Sequence, residues 1–250
     1  MNSARSLIPS SADQLVAPPD FIRNRSNLHR LATYVIAPVR YAAAERFGLR
    51  SAPGGFGTPV FGADRRIRVE GANIIDERAG DRRSAPITTL RAAAEFLDTD
   101  IDEVTAAEHD TPPAGNPHED LAVNPAAVEF LGTWFEVAFA ALHAVRDDNE
   151  SVDASEPQLW PGHFDAAIEL GDENHRASYG ASPGDDTIDE PYLYVSVWWP
   201  DQLTLDDSGF WNSETFTGRV LRLRDFPADA DPVDAASAFW RTTRDHLDAS

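Results

Sequence analysis

Three stretches near the C-terminal end alternate apolar and polar residues with a period of two, and they restrict the fold more than any other feature. Over 163–170 the alternation sets His163, Asp165, Ala167 and Glu169 against Phe164, Ala166, Ile168 and Leu170. Over 192–199 it sets Tyr192, Tyr194, Ser196 and Trp198 against Leu193, Val195, Val197 and Trp199, and over 219–226 it sets Arg222 and Arg224 against Leu221 and Leu223. With the apolar sets turned inward, the outer face of a sheet gathers rings with polar tips, carboxylates and guanidinium groups. Strand and helix patterns are segregated along the chain, with no regular βαβ alternation. That predicts an α+β fold, one or two antiparallel sheets packed against about four helices.

The helical signals lie elsewhere. Apolar residues at helical spacing run over 27–47, with Pro38 predicting a kink or a break, and Thr88 or Thr89 caps a helix through Leu97. Asn124-Pro125 and Asp231-Pro232 are cap-then-proline starts for helices over 125–146 and 232–248, the first apolar over most of its circumference. Between the helical pattern over 27–47 and the helix capped at Thr88 or Thr89, 65–70, 73–78 and 82–87 read as a small antiparallel meander after the Gly-rich P-G-G-F-G-T-P of 53–59. Residues 1–22, rich in Ser and Pro, predict a flexible arm ahead of one α+β domain over 23–250. Subdomains over 23–100 and 125–250, joined by an acidic Pro-rich loop, are an open alternative.

Charge narrows the partners. The net charge is -21, distributed as 14 Arg against 11 acids in residues 1–100 and 7 Arg against 31 acids in 101–250. The second part should repel nucleic acid and anionic membrane. Every basic residue is Arg, since Lys is absent, and the absence of Cys excludes thiol catalysis, disulfides and thiolate metal sites. The start of the chain lacks the apolar run of a signal peptide, and the apolar stretch over 128–145 is interrupted by Glu129 and Glu136, so a cytoplasmic protein is expected. Oligomeric state is not fixed by these features.

Candidate chemistry concentrates between Trp160 and Arg222. Tyr192, Tyr194 and Trp198 could wall a small-molecule site, with His163, Asp165, Glu190 and Arg222 as its polar contacts. The same rings equally suit a sheet face that a helix covers. A second arrangement draws His163, Asp165 and His175 together as metal ligands of a hydrolase or oxygenase, with Glu190 or Asp185 as general base. A third is an acidic protein-interaction module whose binding weakens with salt. The Gly54-Gly55-Phe56-Gly57 loop lacks the Lys and the following helix of a phosphate loop, so it reads as a turn, and no nucleophile-elbow spacing surrounds Ser182.

The motif segment resembles an uncharacterised bacterial family, a domain of unknown function with W-P-x-H-F-D, G-x-S-x-G-D and E-P-Y-x-Y motifs. Here these are Trp160, Pro161, His163, Phe164 and Asp165; Gly180, Ser182, Gly184 and Asp185; and Glu190, Pro191, Tyr192 and Tyr194. Trp211, Glu214 and Gly218 are similar to a further W-x-x-E-x-x-x-G segment, so the likeness covers about 160–245. It implies a shared role for the motif polar residues and no particular activity.

Overall fold

The two cap-then-proline starts behave as the sequence predicts. In the computed structural model, which describes residues 8–101, 111–148, 153–203 and 209–250, Asn124 accepts a hydrogen bond from the Ala126 amide at 3.0 Å. Asp231 accepts two, from the Val233 and Asp234 amides at 2.8 and 3.2 Å. They launch α4 (Pro125–Arg146) and α5 (Pro232–Asp248). The first predicted helix is α1 (Phe21–Leu31) and α2 (Ala37–Ala44), separated by a π-helical turn over Ala32–Ile36. Pro38 has no N–H to donate, so the hydrogen-bond ladder changes register just before it. α3 (Leu90–Phe96) is capped by Thr89, whose hydroxyl accepts from the Ala92 amide at 3.0 Å. α4 has the length and hydropathy of a membrane span but is mostly buried, the mark of a core helix.

Ten strands form two antiparallel sheets of five, ordered β1-β2-β3-β4-β5 and β10-β9-β8-β7-β6. The described residues divide into two compact units: 16–135 with 159–164, and 8–15 with 136–158 and 165–250.

In the first unit, β1 (Arg50–Ala52) and β2 (Gly55–Gly57) extend the expected meander of β3 (Arg65–Glu70), β4 (Asn73–Arg78) and β5 (Asp81–Pro86). The Gly-rich loop is the turn between β1 and β2, where a Cβ on Gly132 of α4 would stand 2.4 Å from the Gly55 nitrogen. The glycines therefore let helix and hairpin backbones touch. The core stacks Phe56, Phe135 and Phe164 edge to face, with centroids 5.1 to 6.4 Å apart. Asp76, fully buried on β4, receives Arg65 at 2.8 and 3.1 Å, Arg78 at 2.9 Å and Arg83 at 2.7 Å. Burial alone would raise its pKa, but these three guanidinium groups hold it at about 2.

The second unit contains β7 (Asp165–Leu170), β8 (Ala177–Ser182), β9 (Tyr192–Val197) and β10 (Gly218–Arg222), and the short β6 (Gln158–Trp160) falls where the chain passes from one unit to the other. One face of this sheet, carrying Ile168, Leu170, Tyr179, Leu193 and Val195, is fully buried. α5 packs against β9, and the Trp240 indole N–H donates to the Tyr194 carbonyl at 3.2 Å. Residues 8–15 belong to this unit rather than to a loose arm: the Ala12 amide donates to Ala230 O at 2.9 Å, and Ala12 and Leu15 are buried. The rest of the expected arm, residues 1–7, and the centre of the acidic loop, 102–110, lie outside the described residues.

Candidate functional site

The W-P-G-H-F-D motif is a turn before it is a strand. The Phe164 amide donates to Trp160 O at 2.7 Å, and Phe164 has φ +58, a left-handed conformation uncommon for an aromatic residue. Its ring is buried in the first unit, stacked on His29 with centroids 5.2 Å apart. The His29 Nε2–H is shared between Pro161 O at 3.0 Å and Gly162 O at 2.8 Å, and the Thr33 hydroxyl donates to Pro161 O at 2.6 Å. Burial pulls the His29 pKa down to about 4, so the ring is neutral at pH 7.

This turn corrects the placement of His163. The left-handed step at Phe164 interrupts the alternation, β7 begins at Asp165, and His163 is exposed on the turn instead of sharing a face with Asp165. His175 sits in the β7–β8 turn, its Nδ1 3.1 Å from Asp172 Oδ1. Among the described residues no three His, Asp or Glu side chains are grouped to hold a metal, so His163, Asp165 and His175 do not form a ligand set.

Asp165, Tyr192, Tyr194, Trp198 and Arg222 do share a face. Across the sheet, Ser182 pairs with Tyr192 and Tyr192 with Arg222, Ala167 pairs with Gly180 and Gly180 with Tyr194, and Glu169 pairs with Ser178 and Ser178 with Ser196. Strand alternation puts Asp165 on the side of Ala167 and Glu169, next to Ser182.

The Tyr194 ring leans across β8, and this is possible only because residue 180 is glycine. A Cβ there would lie 2.4 to 2.5 Å from the ring and its hydroxyl. Tyr194 donates its hydroxyl to an oxygen of the buried Asp165 carboxylate. Tyr192 donates to Asp185 Oδ2 at 2.5 Å, while Asp185 Oδ1 accepts the Thr187 and Ile188 amides at 2.6 and 2.8 Å. The Gly184 amide donates to the Ser182 hydroxyl at 3.1 Å. Burial first, and the neighbouring carboxylates second, push both tyrosine pKa values above the usual phenol range, so both hydroxyls remain donors at neutral pH. Thus the G-x-S-x-G-D motif supplies room for one tyrosine, a loop anchor, and the acceptor for the other.

Glu190 stands off this row, 3.6 Å from Arg222 and 3.2 Å from Arg224. At the opposite end the face opens. Trp198 is 37% exposed and Trp199 48%, with ring planes at 85°. The Trp198 Nε1–H donates to the Ser178 hydroxyl at 2.9 Å, and the Arg176 guanidinium lies 5.2 Å from the ring centroid while reaching Glu169 at 3.2 Å. Arg176, Ser178 and Glu169 thus fix the indole. Arg176 escaped the sequence reading because it precedes β8, a strand of sequence A-S-Y-G-A-S with little intrinsic strand signal.

Comparison of the chain with protein-family models, curated proteins and solved structures gives no match.

Proposed function

We propose that this protein binds a small ligand on the open end of the C-terminal sheet face, with Trp198 as its platform and Arg176, Glu169, Ser178 and Ser196 as polar contacts. The observation that carries this reading is the fixed, part-exposed Trp198. An indole held by a hydrogen bond from its own N–H and flanked by a guanidinium group has lost most of its freedom before a ligand arrives, which lowers the ordering cost of binding. A ligand with a flat apolar face and a hydrogen-bonding edge suits these groups.

The two tyrosine–carboxylate pairs support that platform as framework. Both tyrosine hydroxyls are committed to carboxylates, and Asp165, Ser182 and Tyr192 are buried. Their part is to hold β7, β8 and β9 in register beneath the open end. On this reading the protein binds without turnover and resides in the cytoplasm.

The test is a screen of small polar and aromatic molecules by protein-observed NMR, following the indole N–H signals, with Trp198→Ala and Tyr194→Phe beside the unaltered protein. Saturable shifts of the Trp198 signal that persist in Tyr194→Phe are expected, together with loss of ligand binding, read on the ligand's own signals, in Trp198→Ala. Hits that bind Trp198→Ala equally well would refute the assignment.

A further inference from the structure

β10 is an edge strand of its sheet, and an edge presents N–H and C=O groups to which another chain can add. The Val197 amide donates to Thr217 O and the Leu223 amide to Pro191 O, so the odd-numbered residues of this stretch turn their backbone groups toward β9. Gly218, Val220 and Arg222 turn theirs outward.

Residues 209–217, just before the strand, cover that edge with a side chain. Asn212 Oδ1 accepts the Val220 amide at 2.8 Å, and Asn212 Nδ2 donates to Val220 O at 3.1 Å. The Ser213 amide donates to Gly218 O at 3.2 Å. A primary amide carries a donor and an acceptor side by side, the same pair that the facing residue of a neighbouring antiparallel strand would offer. Asn212 thus stands where a further strand would begin. Rings on both faces hold it there. On the α5 side, the Phe210 ring lies 4.1 Å from the Arg219 guanidinium carbon and stacks on His246 with centroids 3.9 Å apart. On the opposite face Phe216 meets the Tyr194 ring edge to face at 6.2 Å, and a Cβ on Gly218 would stand 2.6 Å from the Phe216 ring.

We propose that residues 209–217 are an edge guard, in which Asn212 keeps β10 from pairing with β10 of a second copy of this chain. The strand's own sequence identifies that occupant. In an antiparallel pair centred on Val220, the hydrogen-bonded pair that Asn212 imitates, Arg219 faces Leu221 of the second copy and Arg222 faces Gly218. No like charges stand opposite one another, so only the guard blocks the pairing. The guard acts at the sheet edge and does not depend on a ligand at Trp198.

The experiment is light scattering of the full chain after size-exclusion chromatography over a range of protein concentrations, in about 0.3 M sodium chloride to screen repulsion between acidic copies. Asn212→Ala and the double variant Asn212→Ala/Val220→Pro run beside the unaltered protein, and exchange of the Val220 amide is followed by NMR in the unaltered protein and in Asn212→Ala. The unaltered chain should keep one mass at every concentration. Asn212→Ala should rise about twofold in mass as concentration increases, the signature of a symmetric pair. The double variant should return to the unaltered mass, because proline has no N–H to offer a second strand. The Val220 amide should be protected in the unaltered protein, exchange freely in dilute Asn212→Ala, and become protected again at high concentration. The proposal is overturned by free exchange of the Val220 amide in the unaltered protein, by an Asn212→Ala mass that never departs from the unaltered one, or by association that survives in the double variant. Should Asn212→Ala not fold, Asn212→Ser takes its place in every arm.

Discussion

Asp76 and Asp165 are both buried carboxylates on strands of five-stranded antiparallel sheets, yet the side chains that receive them differ in kind. Asp76 takes hydrogen bonds from three arginines, Arg65 through two nitrogens and Arg78 and Arg83 through one each, which neutralise its charge and use up its acceptor positions. Asp165 takes the hydroxyl of Tyr194, and the adjacent Tyr192 binds Asp185. An arginine lattice pins one sheet to itself. Tyrosines bring one donor each and a large apolar ring, so the same anchoring also lays an aromatic floor across β7, β8 and β9. The contrast separates a site built only for stability from one that shapes a surface.

The largest expected effect breaks the first side of that contrast. Asp76→Asn leaves three guanidinium groups around a neutral amide and should cost about 3–5 kcal/mol, measured by urea unfolding. A loss under 1 kcal/mol would mean that the arginines relax to solvent and the lattice is ornamental.

Acid separates the elements of the first unit. The folded-state pKa of His29 is lowered, so the unfolded chain binds the proton first, and stability falls as pH drops from about 6.5 to about 4. The full shift corresponds to about 3 kcal/mol. The Asp76 carboxyl is lowered too, so its stabilisation is present above the ordinary carboxylate pKa and fades only as pH falls toward about 2. Two successive losses are expected on acidification. His29→Gln, which retains a side-chain N–H donor, should remove the earlier one and spare the later, as followed by unfolding at each pH.

The second side of the contrast is tested more gently. Tyr194→Phe removes a charge-assisted hydrogen bond and should cost about 1.5–3 kcal/mol in urea unfolding. Gly180→Ala drives a methyl group into the Tyr194 ring and should cost about 1–3 kcal/mol. If Gly180→Ala is neutral, the ring does not lie over β8. Smallest of all, Trp198→Ala should change stability by less than about 1 kcal/mol, because the indole is part-exposed and anchored through one hydrogen bond to Ser178.

Much of this architecture was legible from periodicity. The meander, the capped starts of α4 and α5, the segregated α+β organisation and the face shared by Asp165, Tyr192, Tyr194, Trp198 and Arg222 all follow from spacing and cap chemistry. The strand β8 was hidden, because Ala, Ser and Gly carry little strand preference and its Gly180 exists for a neighbour's ring. His163 was misplaced by a single dihedral: nothing in the residue type of Phe164 announces a left-handed backbone. The Arg176 support of Trp198 depends on a contact between strands, which no local pattern encodes.

The central claim is that the tyrosine–carboxylate pairs are framework while Trp198 meets the ligand, and the indole N–H spectrum during ligand titration tests it most directly. The account predicts a saturable shift of the Trp198 signal that Tyr194→Phe preserves, and loss of ligand binding in Trp198→Ala. Binding that is abolished by Tyr194→Phe in a folded protein, and leaves the Trp198 signal unmoved, would contradict it and place the ligand at the tyrosines instead.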